Sequence, residues 1–175
     1  QQHERLGYDS TRTQVIPNGT DCTEYRPNSS TRMLIRYELG IPEHVPVVGH
    51  VARLHPMKDQ GNLLRAANIV WQEYPDVHFV FAGRDVTNTN EVLEKLLEEL
   101  RFPSQVHLLG ERRDIPSLMT SFDVFTLSSL RSESFPLVLG EAMATEVPCV
   151  TTNVGDAPWI VGETGKVVSP NDSNA

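Results

Sequence analysis

Short, largely apolar runs alternate with longer amphipathic stretches along the chain from Pro46 onward. The apolar runs predict β-strands at residues 47–52, 77–82, 106–109, 123–127, 149–151 and 166–168. Strands that alternate with helices are typical of a parallel sheet, and strands that are apolar on both faces are typical of a sheet that helices cover on both sides. The pattern therefore predicts an α/β fold with a Rossmann-like, doubly wound parallel sheet.

The amphipathic stretches predict the helices between these strands. Asp59 is expected to cap a helix whose apolar positions are Leu63, Ala66, Ala67, Val70 and Trp71, and a helix at 90–101 is expected to bury Val92, Leu93, Leu96, Leu97 and Leu100. Asp114 is expected to cap a short helix that ends at Met119. Pro136 suits the first turn of a helix at 136–144.

The first 45 residues are patterned differently. A short strand is predicted at Thr13–Ile16, and it ends at the turn Pro17-Asn18-Gly19. A helix is predicted at Ser30–Leu39, where Gly40 and Pro42 end it. We therefore assign residues 1–45 to an interdomain linker segment with the start of the domain, and residues 46–175 to the domain itself.

Length, charge and cysteine content narrow the classes of function. A chain of 175 residues fits one domain, and its formal net charge of −8 argues against a nucleic-acid or anionic-membrane partner while leaving room for a small anionic ligand. No apolar run approaches ~18 residues, so we expect no membrane insertion. Cys22 and Cys149 favour reduced thiols in a cytoplasmic protein over a disulfide. The first residue, Gln1, and the loop-like last residues suggest a fragment of a longer protein.

Ligands of doubly wound sheets bind beyond the carboxyl ends of the strands, so the loops at those ends are the place to look for chemistry. Arg53 follows the first strand and Lys58 precedes the first helix, and two cations there would suit a diphosphate, unless both are ordinary surface cations. Gly83 ends the second strand, where it allows either a close approach to a ligand or a structural turn. The loop at 110–114 could pass against a flat base, or Asp114 could serve only as a helix cap.

The loop after the fourth strand carries the sharpest signal. Glu133 lies before the predicted helix and Glu141 lies inside it, as the one charge between Phe135 and Ala144. A carboxylate in such a run should be paired or should accept hydrogen bonds, for which ribose hydroxyls would serve. The N–H groups of Leu137 and Val138 can point at a phosphate. The alternative is that the two carboxylates are unrelated surface residues.

Together these loops resemble glycosyltransferase family 4 and its relatives of the GT-B fold. The family's glutamate pair separated by seven residues is matched by Glu133 and Glu141, its arginine–lysine pair by Arg53 and Lys58, and its interdomain Pro-Asn-Gly by residues 17–19. The resemblance runs from about Ile16 to Asp172. It implies the carboxyl-terminal, donor-binding half of a retaining GT-B enzyme, of the type that builds bacterial surface polysaccharide.

The resemblance also implies roles for the loop residues. Arg53 and Lys58 would bind the donor diphosphate and, with Glu133 at the sugar hydroxyls, would form the catalytic set. Glu141 would hold the ribose, and the remaining donor-binding positions are Gly83, Arg112, Asp114, Phe135, Pro136, Leu137 and Val138, of which Arg112 and Asp114 would meet the nucleobase. No metal and no cofactor are implied, because a nucleotide-diphosphate sugar is the substrate.

The resemblance implies further partners and leaves alternatives open. A glycan or lipid-linked acceptor would bind mainly to an amino-terminal domain that this chain lacks, so the fragment alone should be inactive, and the full-length protein would be cytoplasmic or peripheral at the inner membrane face. A nucleotide-sugar epimerase of the same fold and a non-catalytic nucleotide-sugar-binding module remain alternatives. A dehydrogenase is disfavoured, because no Gly-x-Gly-x-x-Gly follows the first strand. Residues 155–159 depart from the family pattern, which leaves the donor sugar open.

Overall fold

A computed structural model describes residues 5–12, 14 and 16–175. The strand predicted at Thr13–Ile16 includes Thr13 and Val15, which lie outside the described residues, while Gln14 and Ile16 belong to no strand. Among the described residues the first regular element is a short 3-10 turn at Ser10–Arg12. The helix predicted at Ser30–Leu39 is present as α1, Ser29–Glu38, where the side chain of Asn28 accepts a hydrogen bond from the Thr31 amide.

Six parallel strands form one sheet in the described part of the chain, in the order β3-β2-β1-β4-β5-β6. The strands are β1 (Val47–Val51), β2 (His78–Ala82), β3 (Val106–Leu108), β4 (Val124–Leu127), β5 (Cys149–Thr152) and β6 (Lys166–Val168). Each predicted strand from Pro46 onward is confirmed to within about a residue at either end, which is the ordinary accuracy of strand boundaries. The fold class is the doubly wound α/β sheet predicted above.

Five further helices connect the strands in the described residues. They are α2 (Gln60–Glu73), α3 (Glu91–Glu98), α4 (Ile115–Met119), α5 (Leu137–Ala144) and α6 (Ala157–Val161). The sequence pattern does not predict α6, because its five residues stand between Gly155 and Gly162 and contain Pro158, all of which are typical of a loop. Short 3-10 turns at Pro56–Lys58 and Pro103–Gln105 were also not predicted.

Two apolar clusters, one on each side of the sheet, make up the core of the described residues. One joins α1, α4, α5 and α6 to the strands through side chains such as Ile35, Phe125 and Leu139. The other packs α2 and α3 against β2 and β3 through Leu64 and Phe79. An apolar groove of about 400 Å³ also runs along the α2 side of β4, β5 and β6. The prediction that helices cover both faces therefore holds better for β1–β3 than for the other three strands.

Several details of the predicted helices are wrong. Val92, which was expected to be buried, is exposed, and so is Val70 at an apolar position of α2, whereas Leu93 and Ala67 face the core as the same patterns predict. The helix predicted at 90–101 ends at Glu98. Pro136 occupies the cap position before α5 rather than its first turn.

The two predicted aspartate caps differ in outcome. Asp59 caps α2 as predicted, since its carboxylate accepts a hydrogen bond from the Asn62 amide at 3.2 Å. Asp114 stands at the cap position of α4 but makes no capping bond, because its carboxylate binds Arg112.

A buried arginine ties α1 to the amino-terminal edge of the sheet. Arg36 is 1% exposed, and its guanidinium donates to the carbonyls of Ser121, Glu43 and Val45 at 3.0, 2.7 and 2.8 Å and to the Asp123 carboxylate at 2.7 Å. The same carboxylate accepts from the guanidinium of Arg32 and from the Val47 amide. The linker helix is thereby fixed to the starts of β1 and β4.

The two cysteines and the lengths of the helices also bear on the predictions made from the sequence. Cys22 is exposed and Cys149 is buried, and both are free thiols, as expected. Within the described residues, every helix is too short or too polar to cross a lipid bilayer.

Candidate functional site

The order of the strands places the candidate site between β1 and β4. The chain moves outward from β1 in both directions along the sheet, so the loops that follow β1 and β4 separate and leave a crevice. Two hydrogen bonds hold these loops side by side: the Ser128 hydroxyl donates to the Lys58 carbonyl at 2.7 Å, and the Leu130 amide donates to the Met57 carbonyl at 2.8 Å. Lys58 and the loop that carries Glu133 therefore meet at the same edge of the sheet.

Lys58 and Glu133, predicted separately, form an ion pair across this crevice. The ammonium of Lys58 and the hydroxyl of Ser129 both donate to Oε1 of Glu133. The Glu133 side chain is 8% exposed and that of Lys58 is 23% exposed. Both charges are thus largely withdrawn from water, where an ion is stable only with partners.

The loop after β5 packs against Glu133. A Cβ atom on Gly155 would lie 1.6 Å from the Glu133 carbonyl oxygen, and the backbone of Gly155 has a φ of +56°. Only glycine fits such an approach. Gly155 therefore lets the β5 loop pack directly against the backbone of Glu133.

His50 lies in the sheet near this ion pair, and sequence reasoning missed it. It is fully buried in β1, and its Nδ1 lies 3.0 Å from the Thr126 carbonyl, so Nδ1 carries the proton and donates. Burial lowers the pKa of His50 to about 4, so the ring is neutral near pH 7, and Nε2 has no hydrogen-bond partner in the described structure. A histidine inside an otherwise apolar strand was the available signal.

A cavity of about 420 Å³ opens at the carboxyl ends of β1, β2 and β3. Three of the predicted residues, Arg53, Gly83 and Arg112, line it together with Arg84 and Glu111. Gly83 has a φ of +147°, and a Cβ atom there would lie 2.1 Å from the Ala52 carbonyl oxygen. The structure therefore assigns Gly83 to a close backbone approach that shapes the cavity wall.

Arg112 and Asp114 bind each other at the rim of this cavity. The guanidinium donates to both carboxylate oxygens at 2.8 and 2.6 Å, and a third bond of 2.7 Å reaches Glu38 of α1. Hydrogen bonding to Arg112 lowers the pKa of Asp114, and bonding to Asp114 and Glu38 raises the pKa of Arg112. The pair thus braces the loop at 110–114, in which the carbonyl and the amide of Gly110 are also bonded to Gly83 and Val86.

The amino end of α5 offers an anion site at the same edge of the sheet. The Leu139 amide donates to the Pro136 carbonyl, whereas the described hydrogen bonds give no acceptor to the amides of Leu137 and Val138. Free amides in the first turn of a helix, together with the helix dipole, attract anions. These two N–H groups therefore have the chemistry that a phosphate requires.

Glu141 lies one turn further along α5 and meets the linker segment. Burial raises its pKa, and hydrogen bonding with the Tyr25 hydroxyl acts in the opposite direction. Tyr25 is affected in turn, since burial and the Glu141 charge raise its pKa to about 12. The linker also packs closely at Gly140, where a Cβ atom would lie 2.5 Å from the Thr20 hydroxyl. The sequence indicated that Glu141 needs a partner but did not indicate Tyr25.

Phe135 lies beside an exposed aromatic side chain near the start of α5. Its ring is 6.1 Å from that of Trp159, at an angle of 56°. Trp159 is 68% exposed on α6. The departure from the family pattern at residues 155–159 therefore lies next to the loop that carries Glu133.

The assembled site can bind an anion flanked by polar groups. Arg53, Lys58 and the amides of α5 supply positive charge or donors, while Glu133 before α5 and Glu141 within it supply acceptors. In the described part of the chain the guanidinium of Arg53 is exposed and takes part in no ion pair. A diphosphate with hydroxyl-bearing groups at both ends would match this order of charges.

Comparison with known proteins gives a family match over most of the chain. Residues 45–175 match the family described as glycosyl transferases group 1. Among curated proteins, the chain is 32% identical over 153 residues to a UDP-Gal:alpha-D-GlcNAc-diphosphoundecaprenol alpha-1,3-galactosyltransferase of Escherichia coli, covering 86% of this chain and 39% of that protein. It is 34% identical to a D-inositol 3-phosphate glycosyltransferase of Corynebacterium urealyticum, covering 97% of this chain and 42% of that protein.

A solved structure agrees in fold and in sequence. The crystal structure of Anabaena Alr3699/HepE in complex with UDP-glucose superposes with a TM-score of 0.84 at 31% identity, covering 97% of this chain and 47% of that one. This chain therefore spans less than half the length of each of these three relatives.

Proposed function

Because this chain belongs to the glycosyl transferases group 1 family, we propose that it binds the nucleotide-diphosphate sugar from which the whole protein transfers a glycosyl group. The observation that carries the proposal is the crevice between β1 and β4, where Lys58 pairs with Glu133 in the loop that leads to the free amides of α5. This crevice is where doubly wound sheets hold nucleotides.

The donor is proposed to be a uridine diphosphate sugar. One similar curated protein is named for a UDP-Gal donor, and one similar structure is a complex with UDP-glucose. Each donor part then has a matching group here: the diphosphate meets Arg53, Lys58 and the amides of Leu137 and Val138, the ribose meets Glu141, and the base meets the braced loop at 110–114. The sugar lies toward Glu133.

The proposed chemistry is stabilisation of a leaving diphosphate. Negative charge grows on the diphosphate as the glycosidic bond breaks, and fixed cations and amides lower the free energy of that transition state without needing a metal. Retention of configuration would then come from attack by the acceptor on the face that the diphosphate leaves, since no nucleophile is placed under the sugar by the site residues named above. We expect no covalent glycosyl-enzyme.

The acceptor is proposed to be a glycan or a lipid-linked glycan bound mainly outside this chain. The Escherichia coli relative is named for a diphosphoundecaprenol-linked acceptor. Such an acceptor would place the whole protein in the cytoplasm, peripheral to the inner membrane face, and would connect it to surface-polysaccharide synthesis. The 175-residue chain alone would bind donor without transferring the sugar.

Replacing Glu141 with alanine should weaken UDP binding by about tenfold or more, because a charged acceptor of the ribose hydroxyls is lost. Isothermal titration of UDP and of 2′-deoxy-UDP measures the effect. The wild-type chain should prefer UDP, and Glu141→Ala should remove most of that preference.

Tyr25→Phe serves as the control for Glu141, since it removes the linker contact but keeps the carboxylate. It should retain the preference for UDP over 2′-deoxy-UDP. An unchanged preference in Glu141→Ala would contradict the assignment of the ribose to Glu141.

A further inference from the structure

The two residues assigned to different parts of the donor are bound to each other. Lys58 is assigned to the diphosphate and Glu133 to the sugar, yet the ammonium and the carboxylate form a direct ion pair. While the pair is closed, each charge is neutralised by the other, so Lys58 holds a diphosphate less strongly and Glu133 accepts less strongly from a sugar hydroxyl. The pair therefore competes with the diphosphate for Lys58 and with the sugar for Glu133.

The backbones that carry the pair are held in place. The Lys58 carbonyl accepts from the Ser128 hydroxyl, and its amide donates to the His55 carbonyl at 2.8 Å. On the other side, the close approach of Gly155 limits the backbone at Glu133. The pair can thus open by rotation of the two side chains, without movement of the loops.

The surroundings of the pair make it energetically costly for Glu133 to lose Lys58 without a replacement. Glu133 is nearly buried, and the remaining donor to Oε1 is the uncharged Ser129 hydroxyl. The buried His50 nearby is neutral near pH 7, so it supplies no positive charge to replace the ammonium. A buried carboxylate that loses its charged partner is destabilised unless new hydrogen bonds replace it.

We propose that the Lys58–Glu133 pair is an internal lock, which an intact nucleotide sugar opens and a nucleoside diphosphate alone does not open fully. This inference rests on the proposed donor site. The diphosphate takes Lys58 from Glu133, and the hydroxyls of the sugar donate to Glu133 in its place. Recognition of the sugar is thereby coupled to recognition of the diphosphate, although the two parts of the ligand touch different residues.

The lock also favours release of the product. After transfer, the nucleoside diphosphate has no sugar to donate to Glu133, so the carboxylate competes again for Lys58. The competition weakens the hold of the site on the leaving product. The chain thus uses one ion pair to discriminate substrate from product.

The test measures dissociation constants for UDP and UDP-glucose by isothermal titration in EDTA-containing buffer, for the wild-type chain and for Glu133→Gln. The variant should bind UDP about three- to tenfold more tightly, because Lys58 is freed. It should bind UDP-glucose more weakly than the wild-type chain does. Glu163→Gln, at an exposed position near the amino end of β6, is the matched control and should change neither constant.

A double-mutant cycle with Lys58→Gln separates the lock from other effects of Glu133. In the Lys58→Gln background, Glu133→Gln should no longer strengthen UDP binding, since no ammonium remains to be freed. Thermal melting of each ligand-free variant checks that the fold is intact. If Glu133→Gln does not fold, Glu133→Asp provides a weaker form of the comparison, because its shorter side chain lengthens the contact with Lys58, and a smaller gain in UDP affinity is then expected.

The two proposals fail in different ways. Weaker or unchanged UDP binding in a folded Glu133→Gln chain, with wild type binding UDP normally, would overturn the lock and leave the donor site standing. An equal gain in UDP affinity from Glu133→Gln in the wild-type and Lys58→Gln backgrounds would also overturn the lock. If the wild-type chain binds neither UDP nor UDP-glucose, both the lock and the proposed function are wrong.

Discussion

Arg36→Met should lower the free energy of unfolding by about 3–5 kcal/mol, the cost expected when one partner of a buried charge network is removed. The guanidinium serves three backbone carbonyls and the Asp123 carboxylate at once, and it is 1% exposed. Methionine fills much of the volume but offers no donor. The three carbonyls and one side of Asp123 then lose their partners in a place that water reaches poorly.

The effect should be specific to this position. Arg101→Met makes the same substitution at an exposed site after α3, and its free energy of unfolding should stay within about 0.5 kcal/mol of the wild-type value. Urea denaturation followed by circular dichroism gives both values, with the slope of the transition as a check on two-state behaviour. A loss below about 1 kcal/mol in Arg36→Met would contradict the role given to Arg36, since that is the range of a single ordinary hydrogen bond.

Gly83→Ala should cost about 3 kcal/mol or more, because steric overlap and backbone strain act together. A Cβ atom at this position would lie 2.1 Å from the Ala52 carbonyl oxygen and 2.9 Å from the Arg53 amide nitrogen, and the φ of +147° suits glycine alone. The overlap involves backbone at the end of β1, which cannot rotate away as a side chain can. The overlap falls on the peptide group that joins Ala52 to Arg53, so the variant should also shift Arg53 and lose affinity for UDP.

Gly61→Ala is the matched control for Gly83. Gly61 lies in α2, and a Cβ atom there would meet only side-chain atoms at 3.6 Å or more. Alanine in a helix interior is favoured over glycine, so this variant should be neutral or more stable by up to about 1 kcal/mol. Thermal melting of the two variants makes the comparison, and equal melting temperatures would contradict the close approach at Gly83.

The fold was largely predictable because burial on both faces leaves a direct mark on the sequence. The runs at β1 and β2 are apolar enough to show as strands, and Asp59 marks the start of α2. The short helix α6 left no such mark, because its local sequence is typical of a loop. Val92 was misplaced because an amphipathic pattern gives the apolar face of a helix only to within about one residue in a turn.

The site was predictable as a set of loops but not as a set of contacts. The strand-end rule places Arg53, Lys58 and Glu133 at one edge of the sheet. It does not show that Lys58 pairs with a residue 75 positions away, which depends on side-chain geometry. Nor does it show the Tyr25 contact of Glu141, because the linker segment carries no periodic signal that would orient it.

Charged residues in helices were the least predictable part. Arg36 stands in an amphipathic helix, where an arginine ordinarily faces water. Here it is buried because carbonyls and a carboxylate from two separate segments, 43–45 and 121–123, converge on it. Such convergence is a property of the tertiary structure, so a single sequence does not show it.

The central claim is that this chain holds a binding site for a uridine diphosphate sugar. The most direct test is a thermal-shift titration of the wild-type chain with UDP, UDP-glucose, GDP and ADP in buffer that contains EDTA. A ligand that binds only the folded state raises the melting temperature as its concentration increases. We expect UDP and UDP-glucose to raise it in a saturable way and GDP and ADP to raise it less, whereas no rise with any of the four would contradict the claim.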